Sequence, residues 1–347
     1  MIGWSSLERI KMSWASIVLA IALLALSAMP TRGEVGSAVI LMYHRFGAAA
    51  TPSTNIRLDQ FDAHLQALAT GGYRVLPVPD IVARLKRGEG LPDFTIGITI
   101  DDAHVSVYRE AWPRLRRAGF PFTLFVATDP VDAGHANTMN WDEIRELSRS
   151  GVTIGNHGAA HRHMLTLPKA KNVVNIQRAS RRIEEETGTN PTLFAYPYGE
   201  FDRDLRDRIK GKGFEAAFGQ HSGVVHFQSD FFGLPRFALN EQFADADRFS
   251  LITRTLPLPV AEITPTDPLL AINPPLFGFT VAKQLANLSE IACYASAGGE
   301  VVTERLGARR IEVRFSEPFP TGRARVNCTL RDAGGRWRWF GTQFVVP

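Results

Sequence analysis

The chain has 347 residues, 45% of them hydrophobic and 21% charged, the balance of a folded globular protein and not of a disordered one. Its 39 basic and 35 acidic side chains leave a formal net charge of +4. With no basic stripe interleaved with aromatics, nucleic acid is excluded as a partner, and the length suits one large domain plus a smaller one.

Arg9 and Lys11 precede an apolar or small-residue run from Ser13 to Ala28, followed by Met29-Pro30 and the polar Thr31-Arg32-Gly33-Glu34. A basic start, a short apolar stretch and small residues at its end describe a secretory signal peptide, expected over 1–33 with Leu26-Ser27-Ala28 as a cleavage candidate. The run is short for a permanent anchor. The expected location is therefore exported, periplasmic or extracellular, with membrane contact only through an uncleaved signal.

From 34 to 258 short apolar runs alternate with amphipathic helical segments. Strands are expected at Ala38–Tyr43, Phe94–Ile100, Pro121–Ala127, Val152–Gly155, Leu193–Tyr196 and Ala216–Phe218, with weaker candidates at Arg74–Leu76 and Leu234–Leu239. Between them, Leu58, Phe61, Leu65 and Leu68 keep one helical face apolar, and Asn140 with Glu143 forms a capping signal for a helix carrying Trp141, Ile144 and Leu147. A longer helix over Lys169–Thr187 is expected to turn Val173, Ile176, Ala179 and Ile183 inward. Repeated β-then-α units imply parallel strands, and their number implies an irregular (β/α) barrel.

Prolines at 257, 259, 265, 268, 274 and 275 break any continuous helix after Leu256. Strand-like runs follow at Gly278–Val281, Glu290–Ala295, Arg310–Phe315, Arg323–Leu330 and Arg338–Val346, read as a small all-β, sandwich-like domain over 259–347. Cys293 and Cys328, the two cysteines, fall in two of these runs. An even pair in an exported domain reads as a disulfide, with two buried thiols as the alternative. Trp337, Trp339 and Phe340 are read either as half of the core or as a sugar platform.

Three segments at strand ends carry the chemistry. In Thr99-Ile100-Asp101-Asp102-Ala103, two adjacent carboxylates call for a positive partner such as a divalent cation, or else serve as a helix N-cap. In Asn156-His157-Gly158-Ala159-Ala160-His161, histidines at i and i+4 share one face of a helical turn and converge on one ion. One Asp and two His make a facial site with open positions, while His163 is spaced to point elsewhere. In Phe194-Ala195-Tyr196-Pro197-Tyr198-Gly199, Pro and Gly impose a tight turn that either frees the Tyr198 N–H to face a developing oxyanion or simply ends the strand.

In order and spacing these segments resemble the polysaccharide deacetylases of carbohydrate esterase family 4, the NodB homology domain, over residues 37–240. The opening Leu41-Met42-Tyr43-His44-Arg45-Phe46 and the Ala195–Gly199 turn resemble the branch acting on poly-N-acetylglucosamine. The resemblance implies a NodB-type barrel, Asp101 as general base, and Asp102, His157 and His161 as ligands of a divalent metal. Zinc suits these ligands; cobalt, nickel or iron fit the same set. It implies metal-dependent hydrolysis of N-acetyl groups on an extracytoplasmic N-acetylglucosamine polysaccharide or oligosaccharide, releasing acetate. This chain departs from the family pattern in four places. Ile100 and Ala103 replace Phe and Gly around the Asp pair, and Gly158 replaces Ser or Thr. Ala195 stands where an Arg would orient the catalytic Asp, with Arg236 in Leu234-Pro235-Arg236-Phe237 as the substitute. Lacking a late Leu-x-His segment, the chain has His44 or His221 as general-acid candidates. The competing readings are a hydrolase of a non-sugar amide and a non-catalytic glycan-binding or surface-assembly protein.

Overall fold

The computed structural model describes residues 36–282 and 285–347, so the expected signal peptide lies outside the described residues. None of the described helices is long and apolar enough to cross a membrane. The strands of the first part are β1 Ser37–Tyr43, the short pair β2 Arg45–Phe46 and β3 Asn55–Ile56, β4 Arg74–Val75, β5 Thr95–Asp101, β6 Thr123–Val126, β7 Thr153–Asn156, β8 Leu193–Ala195, β9 Ala216–Phe218, β10 Val225–His226 and β11 Phe237–Ala238. They build a curled sheet in the order β10-β1-β5-β6-β7-β8-β9, with β4 added to β5 and β11 to β1. Every pairing in that sheet is parallel except β10 with β1.

The curl closes through one segment. Leu234 bridges Phe218 at the end of β9, and three residues later Phe237 and Ala238 pair with Leu41 and Met42 of β1. The (β/α) barrel is therefore irregular, sealed by a short stretch instead of a full strand. Parallel strands covered on both faces bury all their side chains; all seven residues of β5 are buried. Continuous apolar runs were thus the right signal for β1 and β5, whereas the two-residue β10 and β11 leave almost no pattern to read.

The helix Trp141–Arg149 starts at the expected box: Asn140 Oδ1 accepts from the Glu143 N–H and the Glu143 carboxylate accepts from the Asn140 N–H. The helix Lys169–Thr187 differs from expectation in one residue. Val173 is only half-buried, and Asn172 is buried in its stead, donating Nδ2–H to the Met164 carbonyl at 2.7 Å. A polar residue turns inward there because the loop before the helix offers it a carbonyl.

The all-β part comprises β12 Leu256–Pro257, β13 Val260–Thr264, β14 Phe277–Val281, β15 Ala292–Ala295, β16 Val301–Leu306, β17 Arg310–Phe315, β18 Gly322–Arg331 and β19 Trp337–Val346. Two four-stranded sheets result, β12-β19-β18-β15 and β13-β14-β17-β16. Phe277, Phe279 and Phe344 meet between them. Cys293 and Cys328 form a disulfide between directly paired residues of β15 and β18, within one sheet. Closing a loop of 35 residues contributes about 3–4 kcal/mol in the chain-entropy account. The aromatics of β19 serve packing: Phe340 meets Phe279, and Trp339 packs on Phe237 of the barrel and donates to Asn327.

Buried histidines make this core acid-sensitive. His64 accepts from the Tyr43 hydroxyl at Nδ1, donates from Nε2 to the Ala244 carbonyl, and stacks on Phe249 at 3.8 Å. Burial lowers its pKa from 6.5 to about 4, and the same cause holds His221 and His226 at about 4. Above pH 6.5 these rings are neutral whether folded or unfolded. Between pH 6.5 and about 4 the unfolded chain binds protons the folded chain refuses, so stability falls as pH falls. Each ring accounts for on the order of 3 kcal/mol once pH 4 is reached. Urea unfolding at pH 7 and pH 4.5 should show a shallower loss for His64→Gln than for the wild type. Equal losses would mean that His64 protonates freely in the folded state.

Candidate functional site

The strand β5 delivers Asp101 into a place water does not reach. Asp101 and Arg236 are both fully buried, and their side chains pair through two hydrogen bonds, Nη1 to Oδ1 at 2.7 Å and Nη2 to Oδ2 at 2.8 Å. Arg236 Nε donates to the Gly219 carbonyl and Nη1 also donates to Thr99 Oγ1. Its guanidinium lies against the rings of Phe125 and Phe218, 5.5 and 5.9 Å from their centres. Burial alone would raise the Asp101 pKa, but the Arg236 charge and hydrogen bonds, with His157 and His44, outweigh it and the net direction is down.

The next residue leaves on the opposite course. Asp102 and Ala103 are both left-handed, at φ 77° and 47°. Such a conformation costs a non-glycine residue about 1–2 kcal/mol, which gives a physical reason for the Gly that the family pattern has where Ala103 stands. The turn brings Asp102 Oδ1 to 3.0 Å from His161 Nε2 and 3.4 Å from His157 Nε2. Burial pushes the Asp102 carboxyl up, yet the facing imidazoles of His104, His157 and His161 hold it well below the usual carboxylate range.

The two histidines do not share a helical turn as their spacing suggests. Residues 157–163 are a loop in which Gly158 has φ 72° and His161 φ 46°. A Cβ on Gly158 would lie 2.9 Å from Asn175 Oδ1 and 3.0 Å from Met164 Cε, so no Ser or Thr fits here without a shift. Asn156 and Asn175 brace the loop, accepting from the Gly158 and Ala159 N–H groups. His157 Nδ1 lies 2.7 Å from the Ala195 carbonyl. A carbonyl only accepts, so Nδ1 carries the proton and Nε2 presents a lone pair.

Other expected residues are placed as follows. His44 Nε2 is 3.8 Å from Asp101 Oδ2, and burial lowers its pKa against the pull of Asp101 and Asp102. Tyr198 sits at φ 59° with its ring edge-on to His161. His163 stacks on Tyr198 and pairs with Glu200. His221 is not brought to the Asp101 pair. It lines a cavity of about 280 Å³ against the β-sandwich, whose walls include none of Asp101, Asp102, His157 and His161. Sequence reasoning missed His104, 3.5 Å from Asp102 Oδ2 and bonded by Arg45, and with it Arg323 and Gln343, which reach the Tyr198 turn from the sandwich. His104, two residues past Asp102, could have been flagged; the other two carry no local signal.

Residues 88–217 match the polysaccharide deacetylase family. The chain is 21% identical over 197 residues to the putative polysaccharide deacetylase YxkH of Bacillus subtilis, covering 57% of this chain and 69% of that protein. It is 22% identical over 201 residues to the poly-beta-1,6-N-acetyl-D-glucosamine N-deacetylase of Staphylococcus aureus, covering 54% and 68%. A polysaccharide deacetylase domain is thus matched over residues 88–217. Among solved structures of similar fold are the Streptococcus pyogenes deacetylase PplD in complex with acetate, with TM-score 0.58, 18% identity and coverage of 62% of this chain and 98% of that one. IcaB from Ammonifex degensii gives TM-score 0.55, 23% identity and coverage of 63% and 98%.

The donor set of this deacetylase domain fits a metal ion. Ligand atoms of Asp102, His157 and His161 all lie within 4.8 Å of one another. Asp102 Oδ1 and His157 Nε2 are buried without a hydrogen-bond partner, a costly state for two polar atoms unless a cation joins them. Zinc at about a hundredfold its Kd should stabilise the protein by about 2.7 kcal/mol, read as a rise in Tm that chelation reverses. His157→Ala should abolish that rise and His163→Ala should retain it; no rise with any divalent ion would exclude the site. For the neighbouring pair, Arg236→Met should cost about 3–5 kcal/mol in urea unfolding, with much of it recovered in Asp101→Leu/Arg236→Met. A double variant as unstable as the single one would show that the loss comes from packing around Arg236.

Proposed function

We propose that this protein removes acetyl groups from N-acetylglucosamine units of an extracytoplasmic polysaccharide or oligosaccharide, in a metal-dependent hydrolysis that releases acetate. The carrying observation is one carboxylate fixed by an arginine beside a second carboxylate that faces two histidines. The named relatives support the substrate class, since one is a poly-beta-1,6-N-acetyl-D-glucosamine N-deacetylase, and PplD was solved with acetate. The disulfide supports an oxidising, exported location.

A divalent cation held by Asp102, His157 and His161, with zinc the best fit, would supply Lewis acidity, making a carbonyl easier to attack and a water easier to deprotonate. The chain's own groups do the rest. Asp101 is kept ionised and oriented by Arg236 and accepts the proton of the attacking water at a carboxylate oxygen. Held this low in pKa, it is too weak a base for ordinary water, which is why the reading requires the metal. The Tyr198 N–H donates to the oxyanion that forms as the acetamide carbon becomes tetrahedral. In this reading His44, 3.8 Å from Asp101, is the general acid: it passes the proton that Asp101 takes from water to the departing amine, so that the C–N bond breaks to amine and acetate.

Acetate release from N-acetylglucosamine oligomers should vanish under chelation, return with zinc or cobalt, and fall at least about a hundredfold in Asp101→Asn. His44→Ala should lower kcat by a similar factor and His221→Ala by no more than about twofold. Ammonia in place of acetate from other amides would establish the non-sugar amidase. Glycan binding without turnover, in protein shown to hold metal, would establish a binding protein.

A further inference from the structure

The turn that carries Tyr198 belongs to the barrel, but what holds it belongs to the sandwich. Tyr198 (φ 59°, ψ 5°) and Gly199 (φ 70°) are successive left-handed residues, and the first carries a bulky side chain. Within the barrel the turn's backbone has two hydrogen bonds, Gly199 N–H to the Tyr196 carbonyl and Glu200 N–H to the Pro197 carbonyl at 3.2 Å, and the Tyr198 hydroxyl donates to the His161 carbonyl at 3.5 Å. The carbonyls of Tyr198 and Gly199 are both taken from outside. Gln343 on β19, 4% exposed, donates Nε2–H to Tyr198 O at 3.2 Å and to Gly199 O at 3.0 Å. Arg323 on β18 donates to Tyr198 O at 3.2 Å, lays its guanidinium 5.6 Å from the centre of the Tyr198 ring, and faces Glu200 at 3.6 Å.

These contacts constrain the peptide that matters. Pro197 fixes φ on the upstream side of the Pro197–Tyr198 peptide. Downstream, Gln343 and Arg323 fix the two following peptide planes through their carbonyls. The N–H between them, that of Tyr198, is therefore aimed by groups on both sides. A left-handed tyrosine costs about 1–2 kcal/mol and persists only where its surroundings impose it. The PplD and IcaB structures align over 98% of their own chains and leave more than a third of this chain uncovered, so the shared fold is complete without so long an addition.

We propose that the β-sandwich is a positioning element for the oxyanion turn, with Gln343 and Arg323 as positioning residues that hold Tyr198 in its left-handed conformation. The catalytic half of this inference rests on the deacetylase reading; the mechanical half does not. Displacing a donor by about 1 Å can cost about a hundredfold in rate.

The test combines hydrogen exchange of the peptide spanning 196–200 with acetate-release kinetics on the metal-loaded full chain. Gln343→Glu keeps the shape and removes the donor. It should speed exchange in that peptide by about tenfold or more while β8 and β18 stay protected. It should lower kcat by about 10- to 100-fold with KM within about twofold and metal content unchanged. Arg323→Ala should act in the same direction and Arg323→Lys should recover most of the loss, which covers the case of Gln343→Glu failing to fold. Wild-type exchange across 196–200 in these variants would overturn the proposal, as would a general rise in exchange throughout the sandwich. A loosened turn with undiminished kcat would overturn its catalytic half. A wild-type protein that releases no acetate would sink the deacetylase reading alone, and exchange would still decide whether the clamp exists.

Discussion

The pairing of Arg236 with Asp101 is the interaction on which the site and the barrel closure both depend. Both groups lie wholly out of water, and removing two charges from water is expensive unless the geometry is good and the remaining donors find acceptors. Here the fork meets both carboxylate oxygens, Nε has the Gly219 carbonyl and the guanidinium packs against two aromatic rings. Arg236 lies two residues after the Leu234 bridge to β9 and one before β11. The same few residues therefore seal the curled sheet and fix the carboxylate. A buried ion pair is weak evidence of stabilisation in itself, and a hydrophobic pair could serve closure as well. Its presence at the closing seam fits the role proposed for Asp101 as a fixed base.

Charge accounting then points to the cation. Arg236 neutralises Asp101 and leaves Asp102 with three imidazoles around it, His157, His161 and His104. With the His157 proton committed to the Ala195 carbonyl, that ring turns a lone pair toward an anion. A lone pair facing a carboxylate 3.4 Å away is unfavourable unless something positive sits between them. Protonating the histidines would relieve it, as would a metal. A metal would account in addition for both atoms' lacking hydrogen-bond partners.

Much of this was legible in the sequence because parallel strands advertise themselves. The runs ending at Tyr43, Asp101, Asn156 and Ala195 needed only apolarity and length, and strand ends in such folds are where functional groups gather. The Asp and His ligand candidates, picked by type and order, do converge in the structure, but the geometry assumed for the histidines was wrong. A helical turn and a loop with two left-handed residues both bring i and i+4 together, and a histidine at φ 46° gives no warning in sequence. Asn172 replaces Val173 in the helix core because of a carbonyl supplied by another element. The edge strand β16 was missed because its exposed Glu304 and Arg305 break the apolar alternation. Gln343 and Arg323 reach Tyr198 across 145 and 125 residues, and nothing local marks them.

Ala195 shows how a site can keep a function while moving its origin. Its side chain is fully buried and its carbonyl orients His157, so the end of β8 already has a task that depends on backbone alone. An arginine expected there is absent, and a guanidinium reaches Asp101 from the segment before β11 instead. What the chemistry constrains is the position of two N–H donors relative to one carboxylate, and any strand end within reach can meet it. The same logic applies to the Tyr198 turn, whose carbonyls are met by side chains of a second sheet system. In both cases the reacting group stays on a barrel strand end while its support is drawn from later in the chain. The motifs alone therefore understate how much of this protein contacts the candidate site.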